Sequence, residues 1–157
     1  MGLIESGYKV GDKKGMEEAP RLLMGYTKPD DIRNNGRWCR NLGLFQDKLT
    51  EVLSEPPEDR EGVLIKCLDT EYAVISAVTR RIAWGTGRDT IVLNTGFFQD
   101  RDQLYSRSSR RDMQPMIKRA KELGFNAGGK SDVLGAIVPK EATEPFVEEL
   151  VSYFKEK

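Results

Sequence analysis

Apolar residues recur at helical and strand-like spacings along most of the chain after residue 40. Leu42, Phe45, Leu49 and Leu53 lie three or four positions apart and predict a helix over residues 41–53. The nearly continuous apolar run VLIKCLD, residues 63–69, is typical of a buried strand. Comparable patterns predict helices over residues 70–83, 112–123 and 143–154, and strands over residues 90–98, 102–109 and 132–138.

The order of these elements is α-β-α-β-β-α-β-α. Two of the predicted strands are separated only by a short turn near residues 99–101, which favours an antiparallel pair. The sequence therefore predicts an α/β protein, a single domain with a mixed, roughly four-stranded sheet flanked by helices. We assign this domain to residues 41–157.

Residues 1–40 show little periodicity. They contain the turn-forming stretches GDKKG, TKPDD and RNNG, separated by charged residues. This pattern predicts an irregular N-terminal segment with one short helix over about residues 16–24.

Composition excludes several kinds of site. The 157 residues include no histidine, which excludes catalytic triads built on histidine and every histidine-containing zinc site. Cys39 and Cys67 are far apart and are expected to be ordinary buried thiols of a reducing cytoplasm. No apolar run approaches the ~20 residues of a membrane span. We expect a cytoplasmic protein with no membrane contact, no bound metal and no cofactor.

The stretch GFNAGGKS matches the P-loop consensus G-x-x-x-x-G-K-[ST] at Gly124, Gly129, Lys130 and Ser131. A P-loop, however, joins a strand to the N-terminus of a helix, where unpaired N–H groups face the phosphates. Here the motif follows a predicted helix and precedes a predicted strand, so carbonyl groups would face the loop. The sequence context therefore argues against an NTPase.

Two interpretations of the glycine stretch remain. Gly128 and Gly129 would let backbone amides approach a ligand, and Lys130 and Ser131 would add a charge and a hydroxyl, which together suit an amide nest for one phosphate. Alternatively, the glycines only satisfy the geometry of a helix-to-strand turn.

Charge distribution favours the phosphate interpretation. The 25 basic and 25 acidic residues balance overall. Residues 101–121 nevertheless carry seven basic and two acidic side chains, whereas residues 51–61 carry five acidic and one basic. The basic segment adjoins the glycine stretch in sequence, which indicates a site for a phosphate backbone.

The stretch LYSRSSRRDMQPMIKRAKELGFNAGGKSDVLGAIVP resembles the DHH-associated C-terminal domain of RecJ-type exonucleases, oligoribonucleases and related phosphoesterases. Those domains have a strand with an S-L-R-S-like sequence, a helix, and a G-G-G-H-x-x-A-A-G loop that leads into a strand. Arg107 matches the arginine of the family. Ala127, Gly128 and Gly129 match its three glycines, and Gly135 matches its closing glycine. The resemblance covers about residues 60–157 and is greatest to the archaeal RecJ-related proteins.

In that family the loop and the arginine contact the phosphate or nucleotide end of the substrate. The resemblance therefore implies a nucleic-acid site formed by Arg107, Ser108, Arg110, Arg111, Gly128, Gly129, Lys130, Ser131 and Gly135. Phe125 or Tyr105 would offer a stacking face, although core packing is the simpler role, especially for Tyr105. Lys130 stands where the family has its histidine, which puts contacts that need an imidazole in doubt.

Three hypotheses about function follow from the resemblance. The first is a non-catalytic module that binds single-stranded DNA or RNA in a replication or repair assembly, as does the archaeal RecJ-related protein that associates with the GINS complex. The second is a protein-interaction scaffold whose nucleic-acid site has decayed. The third is a metal-dependent phosphoesterase, for instance as a fragment of a longer DHH-family protein. Asp30 with Asp31, or Asp100 with Asp102, would then bind Mg²⁺, although solvent-facing turns explain these pairs more simply.

Overall fold

The computed structural model describes residues 2–156, which form seven helices and six strands. The helices are α1 Glu5–Lys9, α2 Lys13–Gly25, α3 Pro29–Arg33, α4 Gly36–Ser54, α5 Ile75–Thr86, α6 Gln114–Glu122 and α7 Lys140–Lys155. The strands are β1 Glu58–Arg60, β2 Val63–Leu68, β3 Thr90–Asn94, β4 Arg101–Arg107, β5 Asn126–Lys130 and β6 Val133–Pro139. The α/β class predicted from the sequence is confirmed.

The chain divides into two compact units. One comprises the residues up to 54 together with residues 71–74, and the other comprises residues 55–70 and those from 75 onward. The first unit is helical and the second contains the whole sheet.

The N-terminal segment is helical, so the prediction of an irregular lead-in is wrong apart from its one short helix, which lies within α2. The turn-forming residues are helix ends. Asp12 of GDKKG is the N-cap of α2 and accepts a hydrogen bond from the Gly15 amide at 3.0 Å. Pro29 of TKPDD occupies the first position of α3. The same residue types favour turns and caps, and composition alone does not distinguish the two.

A partly buried polar cluster stabilises this helical unit. The Asp12 carboxylate also accepts hydrogen bonds from the Arg37 guanidinium at 2.6 and 2.5 Å and from Asn41 at 2.8 Å. Arg37 forms a second ion pair with Glu18 at 3.0 Å. The hydrogen bond from Arg37 is the main reason why the pKa of Asp12 lies well below its usual range.

The sheet has six strands in the order β1-β2-β3-β4-β6-β5. β2 and β3 are parallel, and the other neighbouring pairs are antiparallel. The predicted number of four strands is wrong because β1 and β5 were missed. β1 is three polar residues long and β5 has the sequence NAGGK, so neither shows an apolar alternation.

The core of the sheet unit lies between one face of the sheet and helices α6 and α7. Leu104, Leu134 and Val138 point to this side and are fully buried against residues such as Phe146 and Val147. Helix α5 packs against β3 and β4. Because side chains alternate along a strand, residues such as Tyr105, next to Leu104 on β4, point to the opposite face of the sheet. Among residues 2–156, no helix combines the length and the apolar composition needed to cross a lipid bilayer.

Candidate functional site

The stretch that matches the P-loop consensus is a β-hairpin that follows a helix. Helix α6 ends before Gly124, which has φ of +82° and whose amide donates to the carbonyl of Lys121. β5 begins at Asn126, and Ser131 with Asp132 forms the turn into β6. The prediction that this motif is not a P-loop is confirmed, because a strand and not a helix follows it.

The interpretation of residues 128–131 as an amide nest is wrong for most of their length. Residues 126–130 are an extended strand, paired in register with β6. Successive amides of a strand point in opposite directions, so they do not converge on one phosphate as the amides of a nest do. Any ligand here must therefore be contacted by the face of the sheet and its side chains.

Strands β4, β6 and β5 present three cross-strand rows on the face opposite the α6–α7 core, which we call the three-strand face. The pairing aligns Arg107 with Val133 and Lys130 in the first row, and Tyr105 with Gly135 and Gly128 in the second. Gln103, Ile137 and Asn126 form the third row. These residues are intermediate or exposed, and most of them line a groove of about 400 Å³. The rows form a basic end, a flat middle and an amide-bearing end.

The middle row is flat because it contains two glycines. A Cβ on Gly135 would lie 2.8 Å from the ring of Tyr105, so this glycine lets the tyrosine lie across the sheet. A Cβ on Gly128 would meet no atom within 4 Å, so the space above it is open. The Tyr105 ring is therefore packed against backbone, and the accessible surface of this row lies over Gly128.

Gly129 has a different role from its neighbour. Its φ is +155°, and a Cβ here would overlap the carbonyl oxygen of Val133 on the partner strand. Only glycine fits this position, and it allows β5 to approach β6 closely before the turn.

The basic row carries its charges in two different environments. The Arg107 guanidinium donates to the Asp132 carboxylate at 2.5 Å and lies 5.4 Å from the centre of the Trp84 ring. Its side chain is 18% exposed, and that of Asp132 is 46% exposed. Lys130 is exposed, and no ion pair involves it within the described part of the chain. Lys130 is thus the freer of the two cations.

Ser108, Arg110 and Arg111 lie together in a second cluster, organised around the buried Asp89. The Ser108 hydroxyl donates to Asp89 at 2.6 Å and accepts from the amides of Arg110 and Arg111 at 3.0 and 2.9 Å. The Arg110 guanidinium donates to the other Asp89 oxygen at 2.6 Å. Arg111 lies 6.0 Å from the centre of the Tyr153 ring. These contacts hold the loop after β4 in place.

Ser131 lies in the hairpin turn, where its carbonyl accepts a hydrogen bond from the Met113 amide at 2.8 Å. The nine residues predicted as a site are therefore distributed over two places. Arg107, Gly128, Lys130 and Gly135 meet on the three-strand face, and Gly129 and Ser131 shape the hairpin beside it. Ser108, Arg110 and Arg111 belong to the Asp89 cluster.

Other candidates from the sequence have structural roles. The Phe125 ring packs edge-on against Phe146 at 5.4 Å, next to the core. Asp102 is buried and accepts a hydrogen bond from Thr143 at 2.8 Å, so its interpretation as a solvent-facing turn residue is wrong. Asp31 accepts the amides of Thr27 and Lys28 at the start of α3. Within residues 2–156, no group of three acidic or cysteine side chains is arranged to hold a metal ion.

Sequence reasoning missed Trp84, Gln103, Asn126 and Asp132. Gln103 lies two positions before Tyr105 on an alternating strand, so the strand pattern was sufficient to place it on the same face. Trp84 lies near the end of α5, distant in sequence from the basic segment, and no local pattern links the two.

Most of the displaced pKa values belong to groups in ion pairs away from the three-strand face. In the sheet unit, a hydrogen bond from Arg88 lowers the pKa of Asp59. A hydrogen bond to Glu144 raises the pKa of Arg60, and one to Glu149 raises that of Arg119. These pairs connect elements at the surface, and they identify no acid or base on the face.

Comparison with models of protein families found no match, and comparison with curated proteins found none either. Solved structures do match. RecJ of Thermus thermophilus in complex with Mg²⁺ is 21% identical, with a TM-score of 0.66 over 96% of this chain and 24% of RecJ. CDC45 of Entamoeba histolytica is 11% identical, with a TM-score of 0.57 over 98% of this chain and 36% of CDC45.

The C-Ala domain of alanyl-tRNA synthetase from Aquifex aeolicus is 10% identical, with a TM-score of 0.52 over 65% of this chain and 99% of the domain. The chain spans about a quarter of the length of RecJ and about a third of that of CDC45. At these identities the likeness concerns the fold alone. The fold of this chain therefore resembles part of RecJ and of CDC45 over nearly its whole length.

Proposed function

We propose that this chain is a cytoplasmic, non-catalytic module that binds single-stranded DNA or RNA on the three-strand face. The observation that carries the proposal is the basic row, in which Arg107 and Lys130 lie on either side of Val133. This row adjoins the open surface over Gly128. A phosphate at the row thus has two cations beside it and room for its nucleoside along the strands.

The shape of the face favours a chain over a small ligand. β5 is the last strand of the sheet, so the groove has no wall beyond it. The three rows span about 14 Å along the strands, at about 3.4 Å per residue. An open, shallow groove of this kind suits a polymer that continues past both ends, as single-stranded nucleic acid does.

The charge pattern favours phosphate over a neutral partner. Lys130 has no ion pair with another described residue, and a lysine at this position retains the attraction for phosphate when the histidine of the family is absent. Arg107 has Asp132 as a partner, but Asp132 is half exposed. A phosphate can therefore share the guanidinium, whose five N–H groups exceed what one carboxylate uses.

A charge substitution tests the proposal. We expect Lys130→Ala to weaken binding of ten-nucleotide oligothymidylate and oligouridylate alike, by about 2- to 10-fold, and to reduce the slope of log K against log[salt] by about 0.7. Fluorescence anisotropy of labelled oligomers between 50 and about 200 mM salt measures both quantities.

Lys118→Ala is the matched control, because Lys118 is an exposed lysine on α6 that forms an ion pair with Glu122. Its affinity and slope should equal those of the wild type. Equal behaviour of the two variants, or absence of wild-type binding, would overturn the proposal.

One observation favours a second candidate, the protein-interaction scaffold. Arg107 and Arg110, two of the arginines of the predicted site, already have acidic partners in Asp132 and Asp89. Such pairing is expected where phosphates no longer bind. A protein that fails to bind either oligomer but forms a stable complex with GINS subunits would select this candidate.

The assembly role is a proposal from the sequence resemblance to archaeal RecJ-related proteins. We infer a DNA replication or repair assembly, with GINS as the partner to test first. Size-exclusion chromatography of a mixture of this protein with GINS measures the association. The phosphoesterase alternative applies to a longer protein containing this chain, which spans about a quarter of RecJ. Hydrolysis of an oligonucleotide with Mg²⁺ or Mn²⁺ by such a longer protein would decide for that alternative.

A further inference from the structure

The two tryptophans of this chain lie in opposite environments. Trp38 in the helical unit is 1% exposed, whereas Trp84 at the end of α5 is 68% exposed. A tryptophan ring offers a large apolar surface, and leaving most of it in water loses the free energy that burial would provide. Trp84 is thus the one large aromatic side chain of the sheet unit, as described, that the fold leaves uncovered.

The surroundings of Trp84 are cationic. The guanidinium of Arg107 lies 5.4 Å from the ring centre, and that of Arg80, one turn earlier on α5, lies 5.6 Å from it. Arg107 belongs to the basic row of the three-strand face. Helix α5 packs against β3 and β4, so the ring adjoins the Arg107 end of that row.

We propose that Trp84 is a stacking platform for a nucleobase of single-stranded nucleic acid. The base lies on the exposed part of the indole, and the phosphate next to it contacts Arg107 and Arg80. This inference rests on the proposed function, and it extends the binding site from the sheet onto helix α5. Stacking on an aromatic side chain accepts any base, so Trp84 contributes affinity without sequence preference.

Charge complementarity selects this occupant over a protein partner. An apolar protein surface seated on Trp84 would cover Arg80 and Arg107 and remove part of their hydration without compensation. A nucleotide places an aromatic ring on the indole and an anion on the guanidinium groups at the same time.

Tryptophan fluorescence and affinity together test the inference. We expect ten-nucleotide oligothymidylate to quench the emission of the wild type, because a base stacked on Trp84 quenches its excited state. Trp84→Ala should bind this oligomer about 5- to 150-fold more weakly, with an unchanged slope of log K against log[salt]. Trp84→Phe should retain part of the affinity, since it keeps a smaller aromatic face.

Two controls test whether a loss of affinity in Trp84→Ala arises from the loss of stacking. Tyr8 is another exposed aromatic, 56% exposed and 5.6 Å from the Lys9 ammonium, but it belongs to the helical unit. Tyr8→Ala should bind like the wild type. An abasic oligomer of ten phosphodiesters should bind equally to the wild type and to Trp84→Ala, because it offers charge without a base.

The outcomes separate this inference from the proposed function. If the wild type binds the oligomers and Lys130→Ala weakens binding, but Trp84→Ala binds like the wild type, then the inference is overturned and the proposed function stands. If the wild type binds no oligomer, the proposed function itself fails. An affinity loss that is as large for the abasic oligomer would also overturn the inference, because it would show that the ring only positions Arg107.

Discussion

Three glycines of the hairpin illustrate how one residue type serves three purposes. Gly129 is required by its backbone conformation and by the nearby carbonyl of Val133, and Gly135 is required by the Tyr105 ring that lies across it. Gly128 has neither constraint, since a side chain there would enter open space. The first two glycines are explained by folding, whereas only the third leaves room for a ligand.

Alanine substitutions should separate these roles. We expect Gly129→Ala to destabilise the protein by at least about 2 kcal/mol, because a non-glycine residue at this φ costs about 1–3 kcal/mol before the overlap with Val133 is counted. Gly135→Ala should cost about 1–3 kcal/mol through displacement of the Tyr105 ring. Gly128→Ala should change stability by less than about 0.5 kcal/mol. Urea unfolding followed by circular dichroism measures all three.

The binding proposal adds a further expectation at Gly128. A Gly128→Leu side chain would occupy the open surface of the middle row and should weaken oligonucleotide binding while the protein stays folded. A Gly128→Leu protein with wild-type affinity would place the nucleic acid elsewhere.

At the scale of elements, α2 and α4 are connected by the Asp12–Arg37 pair. Asp12 caps α2, and Arg37 and Asn41 reach it from successive turns of α4. The carboxylate therefore accepts a free amide at the start of α2 and at the same time fixes the position of α4.

This pair predicts an acid-sensitive helical unit. The pKa of Asp12 is lower in the folded protein than its ordinary value of about 3.9, so folding favours the carboxylate. The resulting stability is present above pH ~4 and is lost as the pH falls toward the lowered pKa. Asp12→Asn should be less stable at pH 7 and should lose less stability between pH 5 and 3 than the wild type. Emission of Trp38 in a Trp84→Phe background reports the unfolding, and an unchanged acid profile would contradict the expectation.

The helices and strands that the sequence predicts are those in which burial of one face places apolar residues at regular intervals. Helices α4 to α7 and strands β2, β3, β4 and β6 each place apolar residues at regular intervals, and all were predicted with shifted ends. β5 was missed because an exposed edge strand with two glycines has no apolar alternation. Helices α1 and α3 were missed because each has only five residues, too few for a helical apolar pattern to show.

The candidate site was predicted less completely than the fold, and β4 shows why. Arg107 and Ser108 are adjacent in sequence, yet Arg107 belongs to the three-strand face while Ser108 is buried against Asp89. The basic segment of residues 101–121 therefore does not form one patch. Cross-strand register brought Lys130 into the row of Arg107, and tertiary packing added Trp84; neither is encoded in a local pattern.

At the scale of the whole molecule, the charges balance, so the affinity for phosphate depends on where individual acidic residues lie. The 25 acidic and 25 basic residues leave no net attraction for phosphate, so binding depends on a few cations near the face. Three of them, Arg80, Arg107 and Lys130, adjoin the face or Trp84. At about 0.7 per neutralised phosphate of a single strand, they predict a slope of log K against log[salt] near −2.

Asp132 opposes this attraction, and its removal should strengthen binding. Asp132→Asn keeps a residue suited to the hairpin turn and keeps the backbone carbonyl that accepts from the Ser108 amide at 3.1 Å. It removes the negative charge beside Arg107 and leaves the guanidinium free for a phosphate. We expect affinity for oligothymidylate to rise several-fold, most strongly at low salt, where exposed charges are least screened.

Anisotropy titrations at two salt concentrations measure this gain. The double variant Asp132→Asn with Lys130→Ala shows whether the two cations act on the same phosphate backbone.

Asp30→Asn, an equal change of charge in the helical unit, is the matched control and should have no such effect. The two Asp→Asn variants have the same net charge, so a gain confined to Asp132→Asn arises at the three-strand face. Equal gains in both variants would mean that the protein attracts nucleic acid through net charge alone, and loss of affinity in Asp132→Asn would mean that the Asp132 pair holds Arg107 in its binding position.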